Sequence, residues 1–193
     1  MIIKNICKIL YFWGLQLKGL KFASCGKGSY LIKPDRIIGA KNIHIGENVS
    51  ILHHARIEAY SKNGGLFIED GVTIEQNLHL VTCEKLVIGA NTTISANVYI
   101  SDCNHEYKNI DIDIQDQGLL HKRTEIGQFC FIGYGAVILP GVILGKQCII
   151  GANAVVCPGK YDDYSVLAGV PAKIIRKYNF DTNRWENVRS ENV

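Results

Sequence analysis

Aliphatic residues return every six positions along most of this chain. Ile45, Ile51 and Ile57 open the series, and Ile68, Ile74 and Leu80 continue it after a slip. Ile88, Ile94 and Ile100 follow a second slip. From Ile126 the beat runs unbroken through Ile132, Ile138, Leu144 and Ile150 to Val156. A small or apolar residue falls four places after most of these, as at Val49, Ala55, Val72, Ala136, Val142 and Ala154. Two inward side chains per hexad suit a short strand with a turn at each end; the period is too short for a helical repeat. Three hexads make one triangular coil of about eighteen residues, and coils stack through parallel strands. The pattern predicts an all-β prism of roughly five coils, about 24 Å tall, over residues 38–160 of a single domain spanning 1–193. Cys130 should lie over Cys148, Ile132 over Ile150 and Ile138 over Val156. Gly46, Asn48, Asn91, Asn97 and Asn153 fall at corners, where turn conformations favour Gly and Asn. The pattern leaves handedness open, and the general rule for parallel crossovers is right-handed.

Three interruptions break the beat. Asn63-Gly64-Gly65 marks a surface turn near residues 62–67, and two extra residues enter near 86–87. The third break is long: residues 106–125 leave the prism as a loop of about twenty residues, a length usually tied to function. At the ends the beat is absent. Residues 1–19 are apolar and aromatic, interrupted by Lys4, Lys8 and Lys18. They read as an amphipathic helix within an N-terminal cap, 1–25, covering the open strand edges of the prism. Peripheral membrane contact through 1–19 is the second reading. The short segment Lys173-Ile174-Ile175-Arg176-Lys177 predicts the first turns of a short C-terminal helix, and the polar tail from 178 onward reads as loosely ordered or packed at a subunit edge.

Composition narrows the classes. A net charge of +3 with no basic run gives no argument for nucleic acid. Seven cysteines, an odd number without CxxC spacing, suit a reducing cytoplasm rather than a disulfide framework. Cys130 and Cys148 fall on inward positions, where a thiol is a small apolar filler.

The densest chemical cluster, Asp102-Cys103-Asn104-His105-Glu106-Tyr107, stands where the long loop departs. His105 is one of six histidines, and a neutral imidazole there suits proton abstraction near pH 7. Asp102 either orients that imidazole or forms a turn. Cys103 reads as a corner residue, because no separate base is identifiable to activate it.

Ile132-Gly133-Tyr134-Gly135-Ala136-Val137 and Ile150-Gly151-Ala152-Asn153-Ala154-Val155 resemble the coils of the hexapeptide-repeat acyltransferases. That resemblance covers about residues 38–177 and implies a left-handed parallel β-helix. The catalytic base of those enzymes is a histidine on an Asn-His or Gly-His step beside an extruded loop, which maps to Asn104-His105. Ala168-Gly169-Val170-Pro171-Ala172-Lys173 resembles the closing segment of the galactoside, maltose and polysaccharide O-acetyltransferases. By that likeness acetyl-CoA is the co-substrate. Its pantetheine arm would run near Gly133, Tyr134, Ala152 and Cys157, with its phosphates at Lys173 and Arg176. Two departures stand out: Phe131 replaces a frequent Trp, and Cys157 replaces a frequent hydroxyl residue. Asn77 aligns with a position that binds a sugar hydroxyl in the galactoside enzyme, and Tyr107 is a second acceptor candidate.

The resemblance further implies a cytoplasmic homotrimer with active sites between subunits and no required metal. Its acceptor would be a sugar hydroxyl, most in keeping with O-antigen, capsule or exopolysaccharide units. N-acetylation of a nucleotide-linked amino sugar is the alternative; antibiotic acetylation and a metal-binding scaffold stand behind it. A scaffold metal site needs several converging histidines, and His79 near His105 lacks an evident third partner.

Overall fold

A computed structural model describes residues 21–61 and 64–188. These residues wind into a triangular prism whose three faces are parallel sheets. The first coil is Ser24–Cys25, Tyr30–Leu31 and Arg36–Ile38. Six coils have three sides; the seventh has two, Gly159–Tyr161 and Ser165–Gly169.

On the first face the inward column is Cys25, Ile45, Ile68, Ile88, Ile126, Leu144 and Tyr161. On the second it is Leu31, Ile51, Ile74, Ile94, Ile132, Ile150 and Leu167. On the third it is Ile37, Ile57, Leu80, Ile100, Ile138 and Val156. The expected stackings of Ile132 on Ile150 and Ile138 on Val156 are thus present. The three columns meet in one continuous hydrophobic core, and burying each large aliphatic side chain contributes about 1.5–3 kcal/mol. The winding is consistent with a left-handed β-helix.

Coils begin earlier and end later than the strict beat predicts. Ser24–Cys25 pairs with His44–Ile45 as strand, inside the stretch read as a helical cap. The end coils are harder to read because Cys25 and Tyr161 stand where isoleucine or leucine marks the others. The helix expected over residues 1–19 lies outside the described residues. Among the described residues no helix is long and apolar enough to cross a membrane. The two extra residues near 86–87 are absorbed by lengthening, since His79–Thr82 and Lys85–Ile88 each run four residues where most strands run two or three.

The expected C-terminal helix is instead strand. Ala172–Asn179 turns back antiparallel on Ser165–Gly169, and Arg184–Asn187 pairs with it in turn. Ala172 is buried and Ile174 packs on the core, a period of two rather than of a helix. The last strand of the second face would otherwise present an open edge, and the returning chain pairs it. The tail from 178 is likewise ordered through 188, where Tyr178, Phe180 and Trp185 pack edge-on around Tyr164 and one another.

Candidate active site

The long loop is an arm with a built stem. It leaves the corner between the third and first faces as strand Cys103–His105 and returns as Leu119–His121, paired antiparallel with His105 opposite Leu119. The root is pinned by a hydrogen-bond cluster. The Ser101 hydroxyl donates to the Cys103 carbonyl at 2.8 Å and accepts from the Cys103 N–H at 3.1 Å. The Thr124 hydroxyl, on the returning chain, donates to the Ser101 carbonyl at 3.0 Å.

Asp102 is the centre of that root. It is fully buried, and its carboxylate accepts from the Thr82 hydroxyl at 2.6 Å, the Cys83 N–H at 2.7 Å and the Glu84 N–H at 3.2 Å. Its carbonyl accepts from the Lys122 N–H at 2.8 Å. The side chain is committed to the turn of the coil below, so the expectation that it orients His105 gives way to the corner reading.

His105 is exposed, with its main-chain N–H donated to Asn104 Oδ1 at 2.9 Å. Its ring borders a cleft of about 370 Å³ shared with His79, Tyr99, Glu58 and Arg56. Arg56, His79 and Tyr99 form one outward column on the third face, each stacked on the next coil. His79 meets Tyr99 edge-on at 5.2 Å. Burial, and then the charge of Arg56, lower the His79 imidazole from its ordinary value, against a smaller opposing pull from Glu58. Its Nε2 is buried without a hydrogen-bond partner. Burial would push the Glu58 carboxyl up, but hydrogen bonds from Arg56 and Tyr60 and the charges of Arg56 and Arg36 hold it below its ordinary value. The distances are 2.7 Å from Arg56 Nε, 3.0 Å from the Tyr60 hydroxyl and 3.4 Å from Arg36 Nε. The cleft floor is therefore an ionised carboxylate fixed by cations, beside two imidazoles.

Sequence reading placed His79 near His105 but missed Arg56, Glu58 and Tyr99 as cleft residues. A signal was available: Arg56, His79 and Tyr99 each precede an inward aliphatic residue, Ile57, Leu80 and Ile100, so all three point outward on one face.

The other expected site residues fall elsewhere. Asn77 sits at the corner between the second and third faces, where its amide donates to Asn97 Oδ1 at 2.8 Å. The Asn97 amide in turn donates to the Tyr134 hydroxyl. Asn77 and Tyr134 are thus brought together along one corner, while His105 follows the far end of the third-face strands. Gly133 precedes that corner, and a Cβ there would stand 2.6 Å from the Ile150 carbonyl oxygen and 2.8 Å from the Ala152 nitrogen. Only glycine lets the coil above pack so closely. Ala152 is exposed on the next coil, and the Tyr134 carbonyl accepts from the Asn153 N–H at 2.8 Å. Cys157 is half-buried after the last third-face strand, its carbonyl accepting from the Tyr161 hydroxyl at 2.9 Å. Lys173 and Arg176 are exposed on the returning strand rather than on a helix, and Arg176 Nε donates to Asn187 Oδ1 at 3.0 Å. Tyr107 stands on the arm, largely exposed.

Residues 123–158 match the family described as bacterial transferase hexapeptide (six repeats). The chain is 36% identical over 152 residues to WbbJ of Escherichia coli (strain K12), a protein named for O-acetyl transfer in lipopolysaccharide biosynthesis; the match covers 75% of this chain and 76% of that one. The fold is shared with AntD, an N-acyltransferase from Bacillus cereus solved with dTDP and 3-hydroxybutyryl-CoA, at a TM-score of 0.73, 22% identity, and 88% and 90% of the two chains. A galactoside acetyltransferase solved with coenzyme A superposes at a TM-score of 0.54 with 25% identity over 87% of this chain and 71% of that one. The inward hexad columns, the arm at their break and a relative aligned over three quarters of both chains agree: this chain belongs to the hexapeptide-repeat acetyltransferase family.

Proposed function

We propose that the protein moves an acetyl group from acetyl-CoA to a hydroxyl of a surface-polysaccharide sugar, with His105 as the general base. The observation that carries this reading is the placement of an exposed imidazole on the pinned arm root, at the mouth of a polar cleft. The WbbJ likeness supports a sugar hydroxyl as acceptor, and the CoA-bound galactoside enzyme supports the donor. His105 takes the proton of the attacking hydroxyl as its oxygen bonds to the thioester carbonyl carbon. The C–S bond then breaks, and the imidazolium returns the proton to the departing CoA thiolate. Such a base contributes about 10²–10⁴ in rate. Glu58 and Tyr99 line the same cleft and offer an acceptor and a donor for other sugar hydroxyls.

The pantetheine positions Tyr134 and Ala152 lie on one edge of the third face and His105 lies beyond the other. Two copies packed face to edge would bring the donor corner of one chain to the arm of the next, which supports a homotrimer with sites between subunits. Lys173 and Arg176 remain our candidates for the CoA phosphates, now as cations on a strand. Asn77, sharing a corner with Tyr134, would serve the site on the donor side, and Tyr107 would face the acceptor. The donor and the unbridged cysteines suit a cytoplasmic setting.

The test is acetyl-CoA turnover against panels of sugars, amino sugars and nucleotide-linked sugars. His105→Ala should lower kcat by about 10²–10⁴; undiminished turnover would remove His105 from the mechanism. Transfer to an amine and to no hydroxyl would replace the O-acetyl reading with N-acetylation.

A further inference from the structure

Beneath the arm root, the Cys83 and Cys103 sulfurs stand 2.8 Å apart, well inside ordinary sulfur–sulfur contact, and both are unbridged. Their placement follows from the coil register. Val81 lies opposite Ser101 on adjacent third-face strands, so two residues further on Cys83 faces Cys103 across one coil spacing. That spacing, about 4.8 Å, falls within the Cα window of about 4.4–6.8 Å that a disulfide requires. Cys83 is half-buried and opens onto clefts on both sides of the arm, so small oxidants can reach it. Cys103 begins the strand that ends on His105.

The geometry points to a reversible Cys83–Cys103 disulfide that ties the root of the His105 arm to the coil below. With a peroxide as oxidant, one thiolate attacks the peroxide oxygen and becomes a sulfenic acid as hydroxide leaves. The second thiol attacks that sulfur and water departs. In sum two thiols and one hydrogen peroxide give one disulfide and two waters. With a low-molecular-weight disulfide the same bond forms by exchange, releasing two small thiols. Burial pushes both thiols up, so bond formation should quicken with rising pH.

Asp102 also approaches the two sulfurs, and the donor atoms of the three residues lie within 4.8 Å of one another. A bridging metal fits less well. The carboxylate already accepts three hydrogen bonds, and sulfurs this close would have to spread to hold an ion between them. Cys130 and Cys148 supply an internal control: they too stack on adjacent coils, but in the sealed core, 2% and 0% exposed.

The full-length protein, stripped with a chelator, is treated with hydrogen peroxide or oxidised glutathione and digested without reduction. The expected result is a Cys83–Cys103 linked peptide, two of the seven thiols lost, a mass decrease of two hydrogens, and full recovery with dithiothreitol. Amide exchange in the arm stem should slow by about tenfold on oxidation. Cys83→Ser and Cys103→Ser, checked for folding by thermal melts, should each abolish the link. The proposal is overturned if either cysteine goes to sulfinic acid without a link, if the link joins Cys130 to Cys148 instead, or if a metal co-purifies on both sulfurs and blocks oxidation. Any change in transfer rate rests on His105 being the base, whereas the linked peptide and the exchange rates do not, so the two readings fail separately.

Discussion

At the scale of single residues, the site depends on groups that touch no substrate. Asp102 holds two main-chain N–H groups and one hydroxyl of the neighbouring turn while lying wholly inside the protein. Asp102→Ala would leave the buried Thr82 hydroxyl and the partly buried Cys83 and Glu84 N–H groups without this partner, at a cost of about 1–3 kcal/mol for a fully buried donor and less for the others. A lower denaturant midpoint together with reduced kcat is expected; an unchanged midpoint would show that the corner does not need the carboxylate. His79 makes a prediction in pH. Its folded pKa is depressed, so on acidification the unfolded chain takes up a proton that the folded one refuses. Stability from this group is fully present above the ordinary histidine pKa, about 6.5, and is lost as pH falls below it until the folded imidazole itself protonates. Between about pH 7 and about pH 5.5 the melting temperature of the wild type should fall more steeply than that of His79→Gln. Parallel curves would contradict the lowered pKa of His79. The corner reading of Asp102 was open in the chain, but the donors it holds and the lowered pKa of His79 were not legible there. Asp102 and His79 look like any corner or outward residue until their neighbours from other coils are in place.

At the scale of elements, the arm and the C-terminal hairpin show where pattern reading succeeds and fails. The break after Ile100 announced an extruded segment over 106–125; the segment is there, but it leaves at Cys103 and the prism resumes at Thr124. Its stem was not announced, because Cys103–His105 and Leu119–His121 carry no alternation and pair only with each other. The tip is largely exposed, with Ile110, Ile112 and Ile114 in solvent. Replacing residues 107–117 by a short glycine turn should therefore leave the melting temperature within a few degrees, since loop shortening changes closure entropy only slightly. Turnover should drop by about 10²-fold as the stem that positions His105 loosens. A large fall in melting temperature would mean that the arm is part of the core fold. The hairpin at the other end was misread for a physical reason. The run 173–177 is short, apolar at its centre and basic at its ends, which suits a helix terminus as well as an edge strand. The choice is made by the unpaired edge of Ser165–Gly169, which the returning chain satisfies.

At the scale of the whole molecule, each coil touches its neighbours along the axis, so stability accumulates coil by coil as in other repeat architectures. The outward surface is shared less evenly. The proposed donor corner at Tyr134 and the proposed acceptor cleft at His105 lie on opposite edges of one face. From that separation we expect sedimentation to report three chains per particle, with activity falling on dilution as they part. An active monomer would require both edges to serve one substrate and would count against shared sites. The six-residue beat by itself determined that the chain is an all-β stack, which residues point inward, and where the stack is interrupted. These follow from strand geometry and burial, which act over neighbouring residues. Only the tertiary structure decided what meets what across coils: Arg56 under His79 under Tyr99, Asp102 on the turn of Thr82, Cys83 against Cys103. The coils differ in length, so those pairings depend on a register that exists only once the coils have stacked.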